Sequence, residues 1–259
     1  MRLRPVLLFA IAGCITWGAL HAQKPFKEYP AIEYENFPKP RDWDQKAEWV
    51  RARLRYPDIF GYPDHLRIVN RDGAYTASEL FTTENLGFGT YQWQVEGAVD
   101  KMDPTTVLGL FNYGARAGIG VDAENEIDIE FSRWNNTCHG CNADFTFYPS
   151  TGNKALGPME DNFIYDPHGS TLTTARFEWT SMRIAATIMG GLQPLGTTAN
   201  ILQTLAFSPD DYTVRIPQVP LPLAMNLWCF KSTPTSAQEI ILRNFQFVPQ
   251  PTPAPSPSR

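Results

Sequence analysis

"GVDAENEIDIEFSRW", residues 120–134, sets three acids at alternate positions: Glu126, Asp128 and Glu130. Ile127 and Ile129 separate them, and Phe131 continues the apolar series. In a β-strand, side chains at i, i+2 and i+4 share one face. The acids therefore line one face, and the two isoleucines and Phe131 turn toward a core. Like charges so arranged repel. The apolar alternates anchor the strand and hold the carboxylates in place.

Working outward, most of the chain reads as short strands. "HLRIVNRDGAYTASEL" carries two runs about an Asp-Gly turn, a hairpin signal. "GTYQWQVEGAV" alternates Tyr91, Trp93 and Val95 with Gln92, Gln94 and Glu96. "TVLGLFNY" is a mostly apolar run, and "ADFTFYP" alternates Phe145 and Phe147 with Thr146 and Tyr148. "ARFEWTSMRIAATIM" holds two further runs, and "MNLWCF" and "EIILRNFQFVP" complete the series. Residues 41–56, "RDWDQKAEWVRARLRY", are the best helical candidate, with an irregular segment as the alternative. Many short strands punctuated by Gly, Pro, Asn and Asp predict an all-β fold, a two-sheet antiparallel β-jelly-roll sandwich. Each sheet buries one face against the other, leaving an outer face for the acids.

The chain has 259 residues, suited to one large domain, and 43% of them are hydrophobic. A formal net charge of −5 and the lack of a basic cluster in the body of the chain argue against a nucleic-acid partner. Residues 1–22 read as an export signal: a positive start at Arg2 and Arg4, then "PVLLFAIAG", too short for a membrane span. "LHAQ" allows cleavage after Ala22, whereas "IAGC" matches a lipoprotein signal ending before Cys14, which would then carry a lipid anchor. The expected location is secreted or periplasmic, or lipid-anchored at a bacterial cell envelope. Residues 26–248 are expected to form one domain, and residues 249–259 a Pro-rich disordered tail. Cys138 and Cys141, in "CHGC", are placed for a tight loop disulfide, and either could instead pair with Cys229. One CxxC with His139 is too little for a zinc site.

Three readings of the acid strand compete on spacing alone: a solvated charged face, a calcium site, or a catalytic carboxyl pair. The outer glutamates stand about 13 Å apart at Cα, from roughly 3.3 Å per residue. Their side chains can close that gap to the spacing of either a retaining or an inverting glycosidase.

"EIDIEF", residues 126–131, resembles the active-site strand of glycoside hydrolase family 16 in its short E-x-D-x-E form. It is similar to the strand in lichenases, plant xyloglucan endotransglycosylases and fungal chitin–glucan transglycosylases. "FGTYQWQV" (88–95), "ARFEWTSMRIAATIMG" (175–190) and "MNLW" (225–228) resemble further family segments in the same order. The resemblance implies a jelly roll with a concave carbohydrate-binding cleft and retention of anomeric configuration. It implies Glu126 as nucleophile, Glu130 as general acid/base and Asp128 as the assisting residue. The expected substrate is a β-1,3 or mixed-linkage β-1,3-1,4-glucan. Xyloglucan or galactan, transglycosylation, and a non-catalytic carbohydrate-binding protein stand as alternatives.

Gln92 and Gln94 occupy positions where many members carry Glu and Arg against the sugar, and they are expected to bond hydroxyls instead. Asn112, Tyr113, Trp134, Asn226 and Trp228 complete the expected substrate contacts, the tryptophans as sugar platforms. No cofactor is required by this chemistry. A structural calcium, as in some relatives, has no assignable ligands. The expected partner is a polysaccharide or oligosaccharide, and the expected state a monomer.

Overall fold

The computed structural model describes residues 47–54, 64–68, 70–71, 74–232 and 234–250. The expected signal at 1–22, the lipidation site at Cys14 and the tail from 251 onward lie outside these residues. Among them the chain forms fourteen strands: β1 (Ala47–Leu54), β2 (Asp64–Ile68), β3 (Asn70–Arg71), β4 (Ala74–Leu86), β5 (Gly89–Glu96), β6 (Thr106–Tyr113), β7 (Glu126–Ser132), β8 (Ala143–Phe147), β9 (Met159–Phe163), β10 (Leu172–Trp179), β11 (Ile184–Gly190), β12 (Ile201–Phe207), β13 (Leu221–Cys229) and β14 (Gln238–Pro249). Among the described residues the α-helical content is one turn, α1 (Tyr212–Arg215).

The strands make two sheets. The larger runs β1-β4-β13-β6-β7-β8-β9, with β3 added on β4, and the smaller runs β12-β11-β10-β5-β14-β2. All pairings are antiparallel except β1 with β4. The result is the expected all-β jelly-roll sandwich. Leu108, Leu110, Ile127, Ile129, Phe131, Phe145 and Phe147 of the larger sheet are buried with Tyr91, Trp93, Val95, Phe177 and Trp179 of the smaller. The aromatic side of this core is tightly nested: the Tyr91 and Phe177 rings lie 4.6 Å apart, and Trp93 and Phe245 5.0 Å. Trp179 meets its one polar need by donating its indole N–H to Pro217 O at 3.0 Å.

Two local expectations differ, and two edge strands lie outside the runs read from the sequence. Within the helical candidate at 41–56, Ala47–Leu54 is a strand, paired in parallel with β4 from Ala47↔Tyr75 to Leu54↔Thr82. The apolar spacing there is too imperfect to define a helix face, and the exposed edge of β4 offers the backbone a complete set of partners. The edge strands β9 and β12 carry no fully buried residue, and only Met159, Phe163, Leu202, Leu205 and Phe207 of them pack against the core. At the other end, β14 continues through Pro249, one residue into the expected tail.

Candidate active site

β7 lies between β6 and β8 in the middle of the larger sheet. Ile127, Ile129 and Phe131 are fully buried in the sandwich. That anchoring turns Glu126, Asp128 and Glu130 to the outer face. Cross-strand register then builds rows of side chains on this face. Glu130 stands beside Gly109 of β6 and Asp144 of β8, with Asn226 of β13 beyond Gly109 and Asn162 of β9 beyond Asp144. Asp128 stands between Phe111 and Thr146, with Ala224 and Glu160 beyond. Glu126 faces Tyr113 across the β6 ladder. Trp228, Val107 and Ser132 form the row past Glu130.

The loop entering β7 is pinned on both sides. Gly114 N–H donates to Asn125 O at 2.8 Å, and Asn125 N–H donates to Pro149 O at 2.7 Å. Asn125 takes a left-handed backbone (φ 52°) and donates its side-chain amide to Thr151 Oγ1 at 2.6 Å. A Cβ on Gly114 would meet Asn125 Cβ at 2.7 Å, so the close approach of the β6–β7 loop to this corner needs glycine there. Tyr148 N–H closes the start of β7 by donating to Glu126 O at 2.9 Å.

The electrostatic surroundings of the two glutamates differ. Burial pushes the Glu126 carboxyl up to about 8, aided by repulsion from Asp122 and opposed by Arg116. Burial also raises Asp128, and the charges of Glu126, Glu130 and Asp144 raise it further. Glu130 is raised well above the usual carboxylate range, first by burial, then by Asp144, Glu126 and Glu160, and by a hydrogen bond to Asp144. Thus a cation attends the Glu126 end, and acids surround the Glu130 end. The cluster titrates as a coupled unit.

Arg116 was not a sequence candidate. It reaches the face from the turn after β6 and forms an ion pair with Glu79 of β4, both side chains largely buried. Its guanidinium lies over the rings of Phe81, 4.9 Å from the centroid, and Tyr113, 5.5 Å. Phe81, Phe111 and Ala224 pack together with Tyr113 against them, making an aromatic floor beside Glu126 and Asp128. The Tyr113 hydroxyl donates to Asp122.

Trp134 and Trp228 wall the Glu130 end. Their rings pack edge-on at 6.3 Å, and Phe230 packs edge-on against Trp134 at 5.2 Å. Trp228 is only 6% exposed, so it offers far less open face than a sugar platform requires. The Trp134 indole N–H is committed to Asp144 Oδ2 at 3.0 Å. Asn226 is on the acid face, 4% exposed, and its Oδ1 has no hydrogen-bond partner among the described residues. Cys138 and Cys141 are bridged in the loop after β7, and Cys229 lies buried in β13.

Three expected substrate contacts are not on this face. Gln92 and Gln94 belong to β5, in the other sheet. Tyr91, Trp93 and Val95 take the core side of β5, which turns the glutamines to the opposite exterior of the sandwich. There Gln92 and Gln94 both donate to Gln193 O, at 2.9 and 2.7 Å, and Gln92 Oε1 accepts from Arg176 Nε at 2.8 Å. They tie down the loop after β11. Asn112 is on β6, but its register partner is Ile127, and it is fully buried between the sheets. The acid face of β6 belongs to Val107, Gly109, Phe111 and Tyr113.

The sequence held a faint signal for one missed residue. Asp144 and Thr146 alternate with Phe145 and Phe147, which marks them as outward, but only the β7–β8 register brings Asp144 beside Glu130. Among the described residues no group of three or more His, Cys, Asp or Glu side chains is placed to hold a metal ion. No described helix is long and apolar enough to cross a membrane.

With this geometry in hand, solved structures supply the comparison. The β-glucanase of Bacillus licheniformis superposes with a TM-score of 0.57 at 16% identity, covering 88% of this chain and 96% of that one. A prokaryotic β-1,3-1,4-glucanase (lichenase) from a mouse hindgut metagenome gives 0.53 at 16%, covering 83% and 91%. A laminarinase from Flavobacterium gives 0.52 at 12%, covering 72% and 79%. The chain has the fold of these glucanases. No family model matches it, and no curated protein matches it in sequence.

Proposed function

We propose that this protein is a retaining, endo-acting β-glycan hydrolase of the family 16 type, working on β-1,3 or mixed-linkage β-1,3-1,4-glucan. The observation that carries the reading is the shared face of Glu126, Asp128 and Glu130, with burial raising both glutamates, Arg116 opposing the rise at Glu126, and Asp144 and Glu160 adding to it at Glu130. Glu126 is the one of the pair with a cation at hand to ease its ionisation, and Glu130 is ringed by acids that keep its proton in place. Double displacement needs one carboxylate to attack and one carboxylic acid to assist departure. Their common strand face allows carboxyl groups to approach the roughly 5–5.5 Å of retaining enzymes.

Glu126 then attacks the anomeric carbon while Glu130 protonates the departing glycosidic oxygen. A glycosyl–enzyme ester forms. Glu130, now ionised, takes a proton from water, which attacks the ester carbon and frees Glu126. Asp128, between them and kept protonated by burial and by the charges of Glu126, Glu130 and Asp144, is suited to hold the attacking carboxylate by hydrogen bonding. The half-buried Tyr113 beside Glu126 is the side chain of the aromatic floor with surface left for the apolar face of a pyranose. A β-glucanase and a lichenase share the fold, which supports the glucan preference. The neutral Gln92 and Gln94 do not weaken the reading, because neither faces the acids. The positive start and apolar stretch at 1–22 support work outside the cytoplasm.

The test is product analysis on laminarin, mixed-linkage glucan, xyloglucan, agarose, carrageenan and chitin, with Glu126→Gln alongside. Cleavage of a β-glucan, lost by about 10⁴-fold or more in the variant, is expected. Binding of a glycan without cleavage would replace the hydrolase by a carbohydrate-binding protein.

A further inference from the structure

We infer that Asp144 is the positioning residue of the general acid: its carboxylate accepts the Glu130 O–H and keeps that carboxyl protonated and in place until the leaving oxygen of a bound substrate takes the proton over. The inference rests on the hydrolase reading and extends it to a fourth carboxylate.

Asp144 is directly opposite Glu130 in the β7–β8 ladder and only 2% exposed. Each of its oxygens already accepts from a protein donor: Oδ1 from Thr146 Oγ1 at 3.0 Å and Oδ2 from Trp134 Nε1 at 3.0 Å. An indole N–H can only donate. Donors on both oxygens favour the carboxylate form of Asp144, which leaves the shared proton on Glu130 and directs its O–H toward Asp144. Burial pushes Asp144 up to about 6, and the bonds from Trp134, Thr146 and Glu130 oppose that rise.

A bland role, satisfying the Trp134 N–H, would be met by an amide or a carbonyl. A carboxylate instead adds like charge to a face that already holds three acids, a costly choice unless the charge is used. The segment that aims Trp134 is itself strained. Trp134, Asn135 and Asn136 are successive left-handed residues, with φ of 48°, 55° and 61°. Trp134 N–H is held by Ser132 Oγ at 2.9 Å, Asn135 N–H by Pro104 O at 2.7 Å, and the Cys138–Cys141 bridge closes the loop behind them.

The remaining titratable groups facing Glu130 are Glu126 and Asp128 on its own strand, Glu160 on β9 and Tyr148 after β8. Gly109, on the β6 side, adds no charge. In the step itself the Glu130 O–H turns from Asp144 to the glycosidic oxygen, its O–H bond breaks, and the proton goes to that oxygen. That oxygen keeps the electron pair of the broken C–O bond, and Glu126 supplies the pair for the new one. Asp144 keeps its charge throughout.

Asp144→Asn and Trp134→Phe test the assignment with two substrates. A polymer needs protonation of its leaving oxygen, and a 2,4-dinitrophenyl β-oligoglucoside does not. The expected result is a fall in kcat/KM on the polymer about 10- to 100-fold larger than any fall on the aryl glycoside. The alkaline limb on the polymer should move down by on the order of one pH unit in Asp144→Asn, since a neighbouring anion has been removed. A carboxyl ¹³C titration of Glu130 in the same protein should show its midpoint moving down. Equal losses on both substrates, or an unmoved Glu130 midpoint, would overturn the positioning role and leave the hydrolase intact. Wild-type protein inactive on every glycan would overturn the hydrolase reading, and this inference with it. Should Asp144→Asn fail to fold, Trp134→Phe carries the same comparison of substrates, and unchanged selectivity there sinks the idea.

Discussion

Asn226 and Gly109 face each other across the β13–β6 ladder, and Asn226 Oδ1 occupies space 2.7 Å from where a Cβ on Gly109 would stand. Gly109 is also the neighbour of Glu130 on the other side. The missing side chain gives the amide its place on the acid face, beside the general acid. Gly109→Ala should displace Asn226 and crowd Phe111, whose ring lies 3.3 Å from the same point. Overpacking of this kind costs about 1–3 kcal/mol. A melting curve should show the loss, and kcat/KM on the preferred glucan should fall by about tenfold with KM carrying much of the change.

Arg116 serves both stability and charge. Arg116→Met leaves the buried Glu79 with one cation fewer, and breaking a buried pair costs on the order of 3 kcal/mol. The same change removes the group that eases ionisation of Glu126. Glu126 then ionises at higher pH, so the acid limb of kcat/KM moves upward. Arg116→Met combined with Glu79→Gln should recover part of the stability and keep the displaced limb. A limb that stays put would show that Arg116 acts on the fold alone.

Stability should fall with rising pH across the range in which Glu126 titrates. Its folded-state value of about 8 exceeds the ordinary glutamate value of about 4.3, so the folded chain binds more protons than the unfolded chain between them. The stabilisation is complete below the lower value and is lost as pH rises through the upper one. Glu126→Gln and Asp128→Asn, which keep shape and remove charge, should therefore raise Tm at pH 8 and do little at pH 4. The gain at pH 8 is on the order of 1 kcal/mol each, about 2–4 °C for a domain of this size. A variant that gains nothing at pH 8 would contradict the buried, mutually repelling acids.

Gln92→Ala and Gln94→Ala should leave kcat/KM within about twofold, because both residues are on the far exterior of the sandwich. Gln92→Ala removes the acceptor of Arg176 and should cost about 1–3 kcal/mol. Gln94→Ala loses one bond to Gln193 O and should cost about 1 kcal/mol. Urea melts and initial rates on one glucan decide both.

Much of the architecture was legible in the sequence. The alternation in "EIDIEF" settles that Glu126, Asp128 and Glu130 share a face, since a period of two depends only on strand geometry. The apolar runs of the inner strands announce a sandwich for the same local reason. What alternation cannot supply is the partner of each face. It correctly sets Gln92 and Gln94 opposite Tyr91 and Trp93, yet contains nothing about which sheet receives β5. Asn112 shows the same limit: its neighbours Phe111 and Tyr113 face the acids, and one step along the strand reverses the side. Register alone assembled the row of Asn226, Gly109, Glu130 and Asp144, from three successive strands and from β13, far along the chain. A turn brought Arg116 over Phe81 and Tyr113. The identity and facing of the acids were local and therefore readable. Their charge states depend on neighbours delivered by strand pairing and burial, and only the tertiary structure decided those.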